Sequence, residues 1–267
     1  MSSISDAFSE LKRSNRGAFI PFIVAGDPDM ETTELLLIEL AKAGADIIEL
    51  GVPFSDPVAD GTVIQHASER ALKNGVTLSD ALKCVSNAKQ QIEVPIVLFS
   101  YVNPLLKFGR DRLPAEARRA GIDAVLITDL ISEEAGPWIE ALHHHEIDLI
   151  FLAAPTTSDE RLTRIAGQAS GFIYAVSRAG VTGARNDMPR DAERLVKRLR
   201  AVSDLPIAVG FGISTAEQVR QVWRFADAAV IGSTLVSRLE ELADSPDLVA
   251  RVGEFARSLL ESRLIAQ

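Results

Sequence analysis

The chain has 267 residues, of which 47% are hydrophobic and 24% are charged, a composition typical of one sizeable globular domain or two small ones. It carries 28 basic and 37 acidic residues, and the resulting net charge of −9 argues against nucleic acid and anionic membranes as partners. The single cysteine, Cys84, excludes an intramolecular disulfide, so a reducing, cytoplasmic compartment is expected.

No segment of the sequence approaches the roughly 20 consecutive apolar residues of a membrane span. Residues 1–17 are polar and mixed in charge, unlike a signal peptide. We therefore expect a soluble protein in which any phosphate site is built from local groups rather than from a basic surface.

Short apolar runs recur along the chain, each followed by a turn and a stretch with helical periodicity. The runs predict eight strands, at residues 19–24, 47–50, 95–100, 124–128, 149–153, 172–176, 207–210 and 228–231. The stretches between them predict helices at residues 30–43, 62–73, 78–90, 110–120, 133–145, 158–166, 190–202 and 215–223, with further helices at 4–14 and 246–260. This alternation is typical of a parallel sheet covered by helices.

Eight βα units with an extra helix at each end predict an α/β fold, a (β/α)8 TIM barrel forming a single domain over residues 1–267. The alternative is a doubly wound sheet, but Ala25-Gly26-Asp27-Pro28 follows the first strand where a Rossmann fold has Gly-x-Gly-x-x-Gly. The links from a predicted helix to the next predicted strand form a weak internal repeat: Gly44-Ala45-Asp46, Gly121-Ile122-Asp123 and Ala226-Asp227. It adds little support, because glycine after a helix is common in any α/β protein.

Glu49 is the first candidate site residue, because the chemistry of such barrels lies at the carboxyl ends of the strands. Strand alternation points its carboxylate into the barrel if Ile48 and Leu50 face the helices. A carboxylate there is costly unless it is paired, hydrated or used. Glu49 is therefore either a buried acid satisfied by amides or a cation, or a proton-transfer group whose pKa burial raises.

The loop at residues 51–61 carries two prolines, two acids and a closing glycine, which favours a stiff catalytic loop. Asp60 lies close to the start of the next helix, so it is either a functional carboxylate or an ordinary helix N-cap. Asp56 precedes Pro57 and also fits an Asx turn.

Glycines follow the last two predicted strands, in Gly210-Phe211-Gly212 and in Gly232-Ser233. Backbone N–H groups at such positions, together with a helix N-terminus, are what a barrel phosphate site requires. The loop at residues 177–186 contains two glycines and two arginines and is typical of a lid over a ligand, although a long surface loop is the alternative. Tyr174, in the sixth strand, provides either core packing or a hydroxyl to the substrate.

Several other features argue against alternative chemistries. The run His143-His144-His145 fits a solvated helix end, and His66 is the only other histidine, so no metal site is expected. No lysine lies at a strand end, which disfavours a Schiff-base aldolase. Cys84 fits a small core residue.

Over most of its length, from near Phe19 to the last strand, the chain resembles the tryptophan synthase α subunit family. The resemblance rests on residues 48–57 with Asp60 and Gly61, on residues 177–183 and on residues 210–214. It implies a (β/α)8 barrel that cleaves indole-3-glycerol phosphate to indole and glyceraldehyde 3-phosphate. It also implies that indole passes to a β subunit, and that pyridoxal phosphate is bound by that partner and no cofactor by this chain.

The resemblance also implies site residues. Glu49 would be the general acid/base, and Asp60 would accept a hydrogen bond from the indole N–H and stabilise its developing charge. Thr182, in the lid, would position Asp60 on closure. The remaining expected substrate contacts are Tyr174 near the glycerol chain, Phe22, Leu126 and Phe211 around indole, and Gly183, Gly212, Gly232 and Ser233 at the phosphate.

The same resemblance implies an α2β2 heterotetramer in which the β subunit contacts the loop around Pro53 and Asp56 and residues 103–105. Docking there would couple the partner to lid closure allosterically. After the fourth strand the family often has Pro-Asp-Leu-Pro, whereas this chain has Thr128-Asp129-Leu130-Ile131, which predicts a looser turn and altered partner affinity. The alternatives are a stand-alone indole-3-glycerol-phosphate lyase and a non-catalytic regulatory subunit.

Overall fold

The computed structural model describes residues 2–176, 190–210 and 212–260. Its parallel strands follow one another in chain order around a closed barrel, in which the last strand pairs with the first. The strands are β1 (Ala18–Val24), β2 (Ile48–Gly51), β3 (Ile96–Ser100), β4 (Ala124–Ile127), β5 (Asp148–Ala153), β6 (Ile173–Val176), β7 (Ile207–Gly210) and β8 (Ala228–Ile231). This arrangement confirms the predicted (β/α)8 barrel.

Helices alternate with the strands. They are α1 (Ser3–Arg13), α2 (Met30–Ala43), α3 (Thr62–Lys73), α4 (Leu78–Ala88), α5 (Val102–Phe108), α6 (Leu113–Ala120), α7 (Gly136–His143), α8 (Asp159–Gln168), α9 (Arg190–Arg200), α10 (Ala216–Trp223), α11 (Ser233–Glu241) and α12 (Leu248–Ser258). None of the helices that the structure describes has the length and apolar character needed to cross a bilayer.

The predicted strands agree with these bounds to within one residue, but two predicted helices begin three residues too early. The helix predicted at 110–120 begins at Leu113, and the one predicted at 133–145 begins at Gly136. In both, a proline at the start of the helix, Pro114 or Pro137, fixes the first turn.

Helix α5 has no counterpart among the predicted helices. It directly follows β3 and contains Pro104, a residue that breaks helix interiors. Here the proline lies in the first turn, where its missing N–H leaves no helical hydrogen bond unmade.

Side chains of the strands alternate between the barrel interior and the layer beneath the helices. Phe22, Val97 and Leu126 belong to the interior cluster, whereas Ile48 and Leu50 pack between sheet and helices. This alternation decides which strand residues can meet inside the barrel.

Helix α1 closes the amino-terminal end of the barrel. Ile4, Phe8 and Leu11 join the interior cluster, and the Phe8 ring lies 5.8 Å from the ring of Phe172, just before β6. With the amino-terminal end covered, the carboxyl-terminal end of the strands is where a ligand would reach the interior.

Three aspartates form a repeated contact at the amino-terminal end, which we call the amino-end clamp. Asp46, Asp123 and Asp227 precede β2, β4 and β8. Each carboxylate accepts a hydrogen bond from a backbone N–H of the preceding strand, and the aspartate's own N–H donates to the carbonyl of that same residue. The strand residues are Phe19, Ile96 and Ile207, with carboxylate distances of 2.8, 2.9 and 2.7 Å. The weak repeat seen in the sequence thus corresponds to a repeated structure.

Candidate active site

Glu49 lies inside the barrel, in strand β2. It pairs in register with Phe22 of β1 and Val97 of β3, both interior residues, and it is 1% exposed. Within the described residues its Oε1 has no hydrogen-bond partner. Burial raises the pKa of Glu49 to about 8, because the charged form is poorly solvated there. Glu49 therefore carries a proton at neutral pH and can donate it.

Asp60 lies at the end of the β2–α3 loop and is buried. Its Oδ2 accepts a hydrogen bond of 3.0 Å from the Tyr101 hydroxyl. Burial raises the pKa of Asp60 to about 6, and the hydrogen bond from Tyr101 opposes that rise. The helix N-cap is Gly61, so the alternative interpretation of Asp60 as an N-cap is wrong.

Tyr101 is a residue that sequence reasoning missed. It directly follows β3 and is the N-cap residue of α5, which puts it at the carboxyl end of the barrel. The signal that could have found it is its position directly after a predicted strand, the same signal that marks the glycines after the last two strands.

Tyr174 joins the two acids inside the barrel mouth. Burial raises the pKa of its hydroxyl well above the usual value, and the negative charges of Glu49 and Asp60 add to the rise. Its ring fits because Gly210 has no side chain: a Cβ at that position would lie 1.9 Å from the Tyr174 oxygen. The structure therefore places these polar groups in one electrostatic environment.

An apolar wall lines the same interior. The Phe22 and Phe99 rings meet edge to face with centroids 5.2 Å apart, and Leu126 pairs in register with Phe99. Gly51 leaves room for this wall, because a Cβ there would lie 2.7 Å from the Phe22 ring. The surface suits a flat aromatic ligand next to the two carboxylates.

The glycine loops after β7 and β8 lie beside one another. Gly212 is exposed with φ of +80°, and Gly232 is the N-cap residue of α11, whose first residue is Ser233. The Thr234 hydroxyl donates a 2.9 Å hydrogen bond to the Ile213 carbonyl and so joins the two loops. The backbone N–H groups in the first turn of α11, together with the partial positive charge of its N-terminus, make this edge suitable for an anion. Phe211, Thr182 and Gly183, the other predicted contacts, lie outside the described residues.

The turn after β4 is fixed although it lacks the prolines common in the family. The Thr128 N–H and hydroxyl both donate to the Ser100 carbonyl, at 2.8 and 2.9 Å. Asp129 Oδ1 accepts a 2.7 Å hydrogen bond from the Val102 N–H at the start of α5. These bonds order the turn, while the predicted loosening relative to a turn with prolines, and its effect on partner affinity, stay predictions.

The histidines and Cys84 are the other residues that the sequence singles out. Among the described residues, no group of three or more His, Cys, Asp or Glu side chains is arranged to hold a metal ion. Cys84 is buried on α4, and burial raises the pKa of its thiol to about 12, so it is an unreactive core residue.

Comparison with known proteins agrees with this geometry. A sequence model of the family described as tryptophan synthase alpha chain matches residues 8–262. The chain belongs to this family. A tryptophan synthase alpha chain from Solibacter usitatus is 46% identical over 259 residues, covering 97% of each chain. One from Citrifermentans bemidjiense is 47% identical over 264 residues, covering 99% of this chain and 98% of the relative.

A solved structure shares the whole architecture. The crystal structure of tryptophan synthase subunit alpha from Legionella pneumophila str. Paris has a TM-score of 0.90 and 35% identity, and the match covers 98% of each chain. As a member of the tryptophan synthase alpha chain family, the chain is a carbon–carbon lyase of tryptophan biosynthesis that cleaves indole-3-glycerol phosphate.

Proposed function

We propose that Glu49 and Asp60 carry out retro-aldol cleavage of indole-3-glycerol phosphate at the mouth of this barrel. The observation that carries the proposal is a pair of buried carboxyl groups whose charges both act on Tyr174 and whose pKa values burial raises to about 8 and about 6. A group that is protonated and a group that is ionised are thus both available near neutral pH.

Glu49 is the group that moves protons. Its carboxylic acid donates a proton to C3 of the indole, and Asp60 stabilises the positive charge that develops at the ring nitrogen. The bond between C3 and the glycerol chain then breaks, and its electron pair returns to the ring. The resulting Glu49 carboxylate takes the proton of the glycerol hydroxyl as the aldehyde forms, so Glu49 ends the cycle protonated.

The remaining predicted contacts hold the two ends of the substrate. Phe22, Leu126 and Phe211 surround the indole, and Tyr174 lies beside the glycerol chain. Gly183, Gly212, Gly232 and Ser233 bind the phosphate, and Thr182 positions Asp60. Support comes from the apolar wall at Phe22 and Leu126 and from the joined glycine loops next to α11. A phosphate site made of backbone amides suits a chain with net charge −9.

The partner is the β subunit of tryptophan synthase, in an α2β2 heterotetramer within the cytoplasm, and pyridoxal phosphate belongs to that subunit. Large apolar side chains are exposed at the carboxyl-terminal rim: Val58 is 80%, Leu106 50% and Ile131 43% exposed. They lie in the β2–α3 loop, in α5 and after β4. Exposed apolar side chains in three loops and helices of the same rim favour a docked partner over a stand-alone lyase.

Indole production by the purified chain, measured alone and during titration with β subunit, tests this proposal. We expect slow cleavage by the isolated chain and a saturable increase on adding β subunit. Cleavage without any increase would support the stand-alone lyase instead. No cleavage under either condition would overturn the roles of Glu49 and Asp60 and favour a regulatory subunit.

A further inference from the structure

The Tyr101 hydroxyl makes two hydrogen bonds to the end of the β2–α3 loop. It donates to Asp60 Oδ2 at 3.0 Å and accepts from the backbone N–H of Ala59 at 3.0 Å. Tyr101 itself is 3% exposed. One buried hydroxyl thus fixes both the backbone of this loop and the carboxylate beside it.

The Tyr101 ring contacts the same loop near its beginning. It lies against the Phe54 ring, with centroids 5.2 Å apart and an interplanar angle of 37°. Gln65 also binds the loop, but its side-chain amide donates to the Asp60 backbone carbonyl at 2.9 Å and does not hold the carboxylate. Among the described residues, the side chain that hydrogen-bonds to the Asp60 carboxylate is Tyr101, which follows the neighbouring strand β3.

We propose that Tyr101 is a positioning residue for the lyase reaction: its hydroxyl holds the Asp60 carboxylate in the orientation that meets the indole N–H. This inference rests on the proposed role of Asp60. The hydroxyl is suited to this role, because it donates its one proton to Asp60 and accepts from the Ala59 N–H with a lone pair. These two hydrogen bonds leave the hydroxyl little freedom to rotate.

The charges around this pair favour the same assignment. Burial raises the pKa of Tyr101, and Asp60 and Asp129 add to the rise, so the hydroxyl keeps the proton that it donates. The hydrogen bond in turn lowers the pKa of Asp60 against the effect of burial. Glu49 and Tyr174 are the other titratable groups that share this interior. Substitution of Tyr101 by Phe leaves the side chains of Glu49 and Tyr174 in place.

The test compares Tyr101→Phe with a matched control, Phe54→Leu. The first removes only the hydroxyl, whereas the second removes the ring contact and leaves both hydrogen bonds. We expect Tyr101→Phe to lower kcat/KM about tenfold, mostly through kcat, because a hydrogen bond to a charged group is lost. The acid limb of its pH profile should move to higher pH. Phe54→Leu should keep the wild-type acid limb, even if its thermal unfolding midpoint falls.

A double-mutant cycle with Asp60→Ala, whose side chain cannot accept the Tyr101 hydrogen bond, separates positioning from a general structural effect. Once the carboxylate is gone, adding Tyr101→Phe should cost less than twofold in kcat/KM. An equal loss in both backgrounds, or an unchanged acid limb in Tyr101→Phe, would overturn the proposal. If Asp60→Ala alone has wild-type activity, the proposed function fails instead. The substrate phosphate also titrates near this range, but it does so equally in every variant.

Discussion

The barrel carries acids at both of its ends and surrounds them in opposite ways. At the amino-terminal end, the clamp aspartates accept backbone hydrogen bonds of 2.7–2.9 Å. Each also has a cation: Asp46 has Arg16 at 3.9 Å, Asp123 has Lys89 at 3.1 Å, and Asp227 has Arg200. These carboxylates are satisfied as anions.

At the carboxyl-terminal end, Glu49 and Asp60 lack such compensation. Among the described residues no cation contributes to the pKa shift of either group, and Glu49 Oε1 has no hydrogen-bond partner. Burial accordingly raises their pKa values to about 8 and about 6. A carboxyl group that the fold does not stabilise as an anion is free to exchange a proton.

The same side-chain chemistry thus stabilises the fold at one end and is proposed to perform the reaction at the other. Replacing a carboxylate by its isosteric amide should therefore have opposite consequences at the two ends. At the mouth it should remove activity and spare or increase stability, and at the clamp it should lower stability and spare activity.

The largest effect is expected for Glu49→Gln. The amide cannot donate or accept the transferred proton, so kcat should fall on the order of 10³–10⁴-fold while the far-UV circular dichroism spectrum is unchanged. Steady-state indole production measures this. Turnover within tenfold of wild type would show that another group moves the proton.

The same substitution should stabilise the protein at alkaline pH. The folded pKa of about 8 lies above the ordinary value of 4.5, so the folded chain holds a proton that the unfolded chain releases between these values. The contribution of Glu49 to the free energy of unfolding is therefore fully present below the ordinary pKa of 4.5. It is lost as the pH rises towards the folded pKa of about 8. Near pH 9, Glu49→Gln should exceed wild type by up to about 4 kcal/mol in free energy of unfolding.

Urea unfolding at several pH values measures this difference. It should shrink to less than about 1 kcal/mol near pH 5, because that pH lies only about half a unit above the ordinary pKa of 4.5 and the unfolded carboxyl is still partly protonated, as the folded one is fully. A difference that does not change with pH would mean that Glu49 is not held in its neutral form.

Much of this contrast could be predicted from the sequence. The eight apolar runs located every strand, and alternation of Glu49 between Ile48 and Leu50 pointed its carboxylate inward. These features depend on neighbours along the chain, where the periodicity of a strand decides which side each residue faces.

Contacts between distant residues could not be predicted in the same way. Tyr101 and Asp60 are 41 positions apart, and their hydrogen bond depends on how the β2–α3 loop folds back over the end of β3. In the sequence the amino-end clamp is visible only as the weak repeat of Gly44-Ala45-Asp46 and its counterparts, because a single aspartate before a strand is a common feature. The partner of each carboxylate is a backbone amide, which no sequence pattern marks.

A smaller loss of activity is expected for Asp60→Asn. The amide keeps the size of the side chain and can still accept from Tyr101, but it lacks the charge proposed to stabilise the indole nitrogen. We expect kcat/KM to fall about a hundredfold and the acid limb near the Asp60 pKa of about 6 to disappear. Persistence of that limb in the variant, with correction for substrate titration, would assign it to another group.

The smallest effect tests the clamp, through Asp123→Asn and its matched control Asp46→Asn. Asp123 is buried and its Lys89 partner is 20% exposed, so neutralising it leaves a poorly solvated ammonium and should cost about 2 kcal/mol. Arg16 is 37% exposed and 3.9 Å from Asp46, so that variant should cost less than about 1 kcal/mol. Urea unfolding gives both values, and the kcat of each variant should match wild type. A loss of kcat in Asp123→Asn with stability unchanged would mean that the two ends of the barrel do not divide their roles in this way.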